Sequence, residues 1–171
     1  MLAAVQTRYG APSELELRTV EVPVPGAGEV LVRVVAASVN PADVFIVTGR
    51  PRVLQLAMGR PAPRSAIRGS DVSGIVESVG AGVTRFSPGD HVFGWGKGSF
   101  AEYLVTAQDN LALVPDALDL AEAASLPMVG AVALQALREH TTVGPNTRVL
   151  VNGASGGIGT SPVSRSAPPP H

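Results

Sequence analysis

Apolar residues in the first part of the chain recur in short runs that glycine- and proline-rich turns separate. Seven runs have the length and the β-branched composition of strands: Leu2–Thr7, Leu15–Val20, Glu29–Val39, Val72–Val79, His91–Phe93, Phe100–Val105 and Leu111–Val114. Many short strands with frequent turns predict a small barrel. Residues 1–117 are therefore predicted to form a mainly β domain.

The pattern changes near residue 117, where we place a domain boundary. Leu120 to Glu139 is rich in Ala and Leu at helical spacing; Asp116 or Asp119 can cap the helix, and Pro127 is expected to break or kink it. Val149–Val151 is a short apolar run of the kind found in parallel sheets. The predicted fold class is thus mainly β, with an α/β part over residues 118–160.

A glycine-rich turn, Gly153–Gly159, follows that last run. Such a turn between a strand and a helix N-terminus binds the pyrophosphate of a dinucleotide. The helix itself is not expected here, because Pro162 removes a backbone donor and Pro168–Pro170 favours an extended chain. We interpret residues 161–171 as a non-homologous Pro/Ser-rich tail, produced by a frameshift after about Thr160, that leaves the Rossmann unit incomplete.

Composition excludes several function classes. The chain has no cysteine, which removes disulfides, thiolate nucleophiles and cysteine-based zinc sites, and its three histidines have no ligand-spaced partner. A net charge of −1 and 4% aromatic residues argue against a nucleic-acid partner. With neither a signal peptide nor a membrane-spanning apolar run, the expectation is a cytoplasmic protein.

Asn40-Pro41-Ala42-Asp43, after the strongest strand, is the first candidate site. Asn40 suits an N-cap, Pro41 the first helical position and Asp43 the first turn, so the pattern has a purely structural interpretation. The functional interpretation makes Asn40 a polar contact at a strand-to-helix corner. The structural and the functional interpretation are compatible.

Three further segments have a structural interpretation, and one of them also has a functional interpretation. Gly69–Gly74 is interpreted as a turn with Asp71 as its cap, and Val83–Gly94 as a surface turn that makes His91 a strand residue. The segment between Gly49 and Gly69 contains five arginines and no acid. It is either a solvated loop or a basic lip over an anionic cofactor or substrate. The five are Arg50, Arg52, Arg60, Arg64 and Arg68.

The order of these pieces resembles the medium-chain dehydrogenase/reductase superfamily, and especially its zinc-independent quinone oxidoreductase branch. The stretches that carry the resemblance are Val30–Asp43, Gly69–Gly82, Pro88–Gly94, Ser99–Val105, Ala123–Leu137 and Val149–Gly159. The resemblance implies a GroES-like domain followed by a Rossmann domain. Zinc-dependent members have a His at the position of Ser70 and a Cys at that of Asn40, so it also implies that no metal is bound.

The implied reaction is hydride transfer from NADPH to a quinone or an enone-type carbonyl, with the cofactor supplying the redox chemistry. The implied catalytic residues are Asn40 and Asp43, near the nicotinamide and the substrate. The residues implied to bind NADP(H) are Asn40, Val132, Gly153, Ser155, Gly156, Gly157, Ile158 and Gly159.

Two positions depart from the branch. Phe45 stands where an aromatic hydroxyl often occurs, and Val132 where a Thr is common, so neither can donate the corresponding hydrogen bond. The full-length parent is expected to be a homodimer, with neither nucleic acid nor a membrane as partner. This chain, lacking the rest of the cofactor site, is expected to be inactive by itself. The alternative is a non-catalytic GroES-like fragment or partner-binding module.

Overall fold

The computed structural model describes residues 1–60, 62–64, 66–139, 144 and 147–160. It divides into two compact units, Met1–Ser125 and Leu126–His171. The boundary that we predicted near residue 117 lies ahead of the first helix that follows the strands, whereas this division lies after that helix.

The first unit contains seven antiparallel strands in two sheets. They are β1 (Leu2–Gln6), β2 (Leu15–Thr19), β3 (Glu29–Ala36), β4 (Asp71–Val79), β5 (His91–Trp95), β6 (Tyr103–Ala107) and β7 (Leu111–Leu113). β1 and β2 form a hairpin, and the other five form a sheet in the order β6-β3-β4-β5-β7. The predicted mainly β architecture is confirmed.

The five-stranded sheet has to curl, because its two edge strands are consecutive in the chain. A flat sheet would hold β6 and β7 about 19 Å apart. The 3-10 helix Gln108–Asn110 joins them, and the four Cα steps from Ala107 to Leu111 span at most about 14 Å. The hydroxyl of Thr106 on β6 donates to the carbonyl of Trp95 at the end of β5, 3.0 Å away. The curl gives this sheet the closed character of a small barrel.

Alternating side chains of the sheet form the core of this unit. The buried cluster is made of Val30, Val32, Val76, Phe86, Val92 and Leu111. The β-branched residues at alternate positions of β3 face inward together, which is the period-two pattern of a half-buried sheet. The predicted turn before β5 closes by a hydrogen bond from the Ser87 amide to Asp90 Oδ2 at 2.8 Å.

Three strands differ by at least two residues from their predicted bounds. β5 ends at Trp95 rather than Phe93. β3 ends at Ala36 rather than Val39, and the hydroxyl of Ser38 beyond it donates to Asp71. β6 begins at Tyr103 rather than Phe100, because Phe100 and Glu102 exchange backbone hydrogen bonds with β1 instead.

Four helices are α1 (Pro41–Thr48), α2 (Leu54–Met58), α3 (Leu120–Ala123) and α4 (Pro127–Glu139). The predicted interruption at Pro127 is confirmed, and Pro127 is the first residue of α4, where its missing N–H costs nothing. α2 lies in the arginine-rich segment between Gly49 and Gly69, for which a solvated loop was one interpretation. None of the helices in the described ranges has the length and apolar character needed to cross a membrane.

The predicted strand Val149–Val151 is wrong. These residues have no regular secondary structure, and Leu150 is 95% exposed. A strand needs a hydrogen-bonding neighbour, and none of the described residues pairs with this run.

Residues 157–160 form one helical turn after the glycine turn, whereas the residues that were predicted to prevent a longer helix, Pro162 and Pro168–Pro170, lie outside the described residues. The Thr160 amide donates to the Gly156 carbonyl at 3.0 Å. The tail that we predicted for residues 161–171 lies outside the described residues.

Candidate functional site

A buried polar cluster lies where α1 begins and β4 begins. Asn40 Nδ2 donates to Asp71 Oδ2 at 3.1 Å and lies 3.3 Å from Ser38 Oγ, whose hydroxyl donates to the same carboxylate oxygen at 3.2 Å. Asp71 is fully buried, and Asn40 is 7% exposed. Ser38, Asn40, Asp43 and Asp71 are called the polar cluster below.

The start of α1 holds Asn40 in place. The backbone N–H of Asn40 donates to Asp43 Oδ2 at 2.7 Å, and the Asp43 N–H donates to the Asn40 carbonyl at 2.9 Å. Pro41 occupies the first helical position, and Gly49 ends the helix in the left-handed conformation. Asn40 therefore forms a capping box with Asp43, while its side-chain nitrogen donates to Asp71.

Asp43 has an unusual electrostatic environment for a carboxyl in a first helical turn. Burial raises the pKa of Asp43 most strongly, and the neighbouring charge of Asp71 raises it further. The hydrogen bond from the Asn40 amide and the positive charge of Arg68 lower the same pKa. The net effect is a raised pKa, so Asp43 ionises at higher pH in the folded chain than in the unfolded chain.

A cavity of about 380 Å³ adjoins this cluster through Asp43. Its wall includes the apolar side chains of Ile46, Met58 and Trp95 and the cationic residues Arg64, Arg68 and Lys97. A volume of this size is at the lower end for small-molecule sites. Of the candidate catalytic and cofactor-binding residues, Asp43 is the one that lines this cavity. We call it the arginine cavity.

The arginine-rich segment does not behave as one surface. Arg64 and Arg68 line the arginine cavity, and Arg68 is only 6% exposed. Arg50 and Arg52 line a second cavity of about 530 Å³ with Tyr9 and Gln55, and Arg60 is exposed. The segment is therefore neither a uniformly solvated loop nor one continuous basic surface, and a role over an anionic ligand stays a prediction.

The candidate cofactor residues lie in the second unit. Val132 is on α4 and is 41% exposed, while Gly153, Ser155, Gly156, Gly157 and Ile158 are exposed and Gly159 is half-buried. Gly153 has a φ of 74°, and the Gly156 amide donates to its carbonyl at 3.0 Å, which closes a tight turn. A Cβ on Gly159 would collide with the Gly153 carbonyl oxygen, so the turn requires glycine there.

Three residues of the site were missed or misassigned by sequence reasoning. Asp71, interpreted as a turn cap, begins β4 and accepts from Ser38 and Asn40. No sequence pattern marked Ser38 as a site residue. Trp95, the single tryptophan, lines the arginine cavity. A carboxylate at the start of an apolar strand was the signal available, because such a group needs polar partners when it is buried.

The residues that the structure describes contain no cluster of three or more His, Asp or Glu side chains arranged to hold a metal ion. The polar cluster itself offers an amide, a hydroxyl and two carboxylates.

Comparison with known proteins places the chain in a family. Residues 26–116 of the 171 match the family described as alcohol dehydrogenase GroES-like domain. The quinone oxidoreductase of Mus musculus is 37% identical over 154 residues, which cover 88% of this chain and 44% of that protein.

Solved structures agree with this placement. The quinone oxidoreductase from Coxiella burnetii has a TM-score of 0.81 at 32% identity, covering 94% of this chain and 51% of that one. A mycobacterial protein complexed with NADPH has a TM-score of 0.78 at 32% identity, covering 94% and 48%. The chain spans about half the length of the relatives that it matches.

The curled sheet belongs to the β-rich domain of an oxidoreductase family. The chain belongs to the medium-chain dehydrogenase/reductase superfamily, with an alcohol dehydrogenase GroES-like domain.

Proposed function

We propose that the chain contributes the substrate-binding domain, and the start of the cofactor-binding domain, of an NADPH-dependent and zinc-independent oxidoreductase. The acceptor that we propose is a quinone or an enone-type carbonyl. The observation that carries the proposal is the buried Asn40–Asp71 hydrogen bond beside a cavity in a GroES-like domain. The printed names of the quinone oxidoreductase relatives support the acceptor, and the NADPH complex supports the cofactor.

Asn40 is suited to hold a ligand group in one orientation. A carboxylate can only accept hydrogen bonds, so the amide nitrogen of Asn40 has to face Asp71. Oδ1 of Asn40 faces the Asp43 N–H in the capping box, and its second lone pair remains as an acceptor for an N–H of the cofactor or for a substrate group. The Asp43 carboxylate fixes the backbone of Asn40, so we assign the two residues a binding role and a positioning role.

The glycine turn fits the pyrophosphate of a dinucleotide. Gly153 takes a left-handed conformation, the backbone around Gly156 and Gly157 is exposed, and residues 157–160 begin a helix whose N-terminal amides attract anions. Gly153–Gly159, with Ser155 and Ile158 between the glycines, would hold the cofactor, which supplies a hydride when bound. Val132 offers only an apolar contact.

Zinc independence is supported by the chemistry of the side chains available. The chain has no cysteine, and Asn40 and Ser70 stand at the positions where zinc-dependent members supply a thiolate and an imidazole. Amides and hydroxyls are poor ligands for zinc compared with thiolate and imidazole. Chelator treatment is therefore expected to leave NADPH oxidation unchanged.

The rival proposal is a non-catalytic GroES-like module, and titration with NADPH discriminates between the two. We expect this chain to bind NADPH more weakly than about 100 μM by nicotinamide fluorescence, because Pro162 opposes the helix that should follow the turn. Tighter binding would contradict that expectation and would favour an enzyme that works as it stands.

The proposed activity itself is tested on the longest product of the locus, after the DNA beyond codon 160 has been read in all frames. Absorbance at 340 nm is expected to fall only when both NADPH and a quinone or enone are present. Oxidation that is independent of the acceptor, or absent, would contradict the proposed activity. A DNA sequence that confirms the present frame and encodes no family-like helix in another frame would contradict the predicted frameshift.

A further inference from the structure

Arg68 is a buried cation with unsatisfied hydrogen-bond donors. It is 6% exposed, and its Nε and Nη2 atoms are shielded from solvent without a hydrogen-bond partner in the part of the chain that the structure describes. Burial lowers the pKa of Arg68, although the nearby Tyr9 and Asp43 oppose that effect. A buried guanidinium normally has paired donors, since an unpaired one is costly.

The surroundings of Arg68 carry more positive than negative charge. The arginine cavity is lined by three cations, Arg64, Arg68 and Lys97, and by one carboxylate, Asp43. One oxygen of that carboxylate already accepts from the Asn40 backbone. The ion pairs among the described residues involve none of the three cations; they are Arg8–Glu14, Arg18–Glu16, Arg33–Glu77 and Arg85–Asp109.

We infer that the substrate of the arginine cavity carries an anionic group, which Arg68 binds with help from Arg64 and Lys97. Because Nε and Nη2 are shielded from solvent, the guanidinium has to turn toward the cavity to meet the ligand. A carboxylate or phosphate would then supply the acceptors that these donors lack, and a planar anion suits the two donors of a guanidinium edge. The apolar wall of Ile46, Met58 and Trp95 suits the ring or enone carbon skeleton of the same molecule. This inference rests on the proposed function, of which it narrows the substrate class.

An anion reaching this cavity has two sources, an acidic substrate or the phosphates of the cofactor. We assign the substrate, because Trp95 and Met58 form an apolar wall beside the cations, as an acidic ring compound requires and a phosphate group does not. Binding of a phosphate compound to the same residues is therefore the result that distinguishes the two sources.

Trp95 makes the test direct, because the only tryptophan of the chain lines the cavity. The probes are chromone-2-carboxylate and chromone-2-carboxamide, two enones that differ in charge and hardly in shape. Each is titrated without cofactor while tryptophan fluorescence is followed. The carboxylate is expected to bind at least about tenfold more tightly than the carboxamide, as one charge-assisted contact would give.

Arg68→Met is expected to abolish this preference, and Lys97→Met to reduce it. Arg60→Met is the matched control, because Arg60 belongs to the same segment but is exposed and does not line the cavity. Thermal unfolding of each variant establishes that it is folded, and Lys97→Met keeps the test decisive if Arg68→Met does not fold.

Equal binding of the two probes, no saturable binding, or a preference that survives in Arg68→Met would overturn the inference. Binding of 2′,5′-ADP that displaces the carboxylate and depends on Arg68 would overturn the assignment to the substrate. These readouts need no hydride transfer. A failed NADPH oxidation assay would therefore count against the proposed activity alone.

Discussion

Nδ2 of Asn40 lies 3.1 Å from Oδ2 of Asp71, although 31 residues separate them in the chain. The contact joins the start of α1 to the start of β4 in the interior of the first unit. Because Asp71 is fully buried, its carboxylate depends on such donors for stabilisation. Asn40 thus links the stability of the fold to the geometry of the proposed site.

Asn40→Ala is expected to lower the free energy of unfolding by about 1–3 kcal/mol, because it withdraws a donor from a buried carboxylate. Urea unfolding measures the change. Asn110→Ala is the control: its amide donates to the Thr106 hydroxyl at 3.0 Å, a neutral partner, so its loss should cost less. An Asn40 variant as stable as the wild type would refute the dependence of Asp71 on this amide.

Asp43 is expected to make folding less favourable as the pH rises through its titration range. The fold raises the pKa of Asp43, so the unfolded chain ionises at lower pH than the folded chain. Between the two values folding takes up a proton, and the free energy of unfolding falls with increasing pH. Asp43→Asn, whose amide oxygen still accepts from Asn40, should reduce this fall. Urea unfolding from about pH 4 to about pH 7 provides the comparison.

The same carboxyl offers a test of its coupling to Arg68. The charge of Arg68 lowers the pKa of Asp43, so Arg68→Met is expected to raise that pKa further. Titration of the Asp43 carboxyl by NMR measures it, with Arg60→Met as the control. An identical titration midpoint in Arg68→Met and the wild type would mean that the two groups do not interact.

Arg68→Met is expected to stabilise the folded chain by about 1 kcal/mol, since it replaces an unpaired buried cation with an apolar side chain of similar length. Chemical unfolding gives the difference. A loss of several kcal/mol would instead mean that the guanidinium is well satisfied in solution, which would remove the premise of the anion site.

Gly80→Ala is expected to destabilise the first unit by about 1–3 kcal/mol, because a Cβ at Gly80 would collide with the backbone carbonyl of Gly26. The Gly80 amide also donates to the Glu29 carbonyl at 2.8 Å, so the turn cannot shift freely. Gly130→Ala in α4 is the matched control, since no atom stands near its Cβ position and alanine favours a helix. A Gly80 variant no less stable than the Gly130 variant would contradict this account.

The strand pattern could be predicted because the first unit is built from local alternation. β1, β2, β4 and β7 lie within one residue of their predicted ends, since turns of glycine and proline bracket apolar runs. β6 begins later than predicted because the backbones of Phe100 and Glu102 form hydrogen bonds with β1, which is distant in the chain. Val149–Val151 has the composition of a strand but does not form one, because a strand also needs a hydrogen-bonding neighbour, which composition does not supply.

The sequence by itself determined the order of strands, the start of α1 at Asn40-Pro41 and the glycine turn, because each depends on residues close together in the chain. Only the tertiary structure decided that Asn40 meets Asp71, that Arg68 is buried while Arg60 is exposed, and that Trp95 faces the same cavity. Those relationships depend on how the sheet curls and on which segments pack against it. Burial and charge pairing are therefore properties of the folded chain, which the spacing of residues along it does not encode.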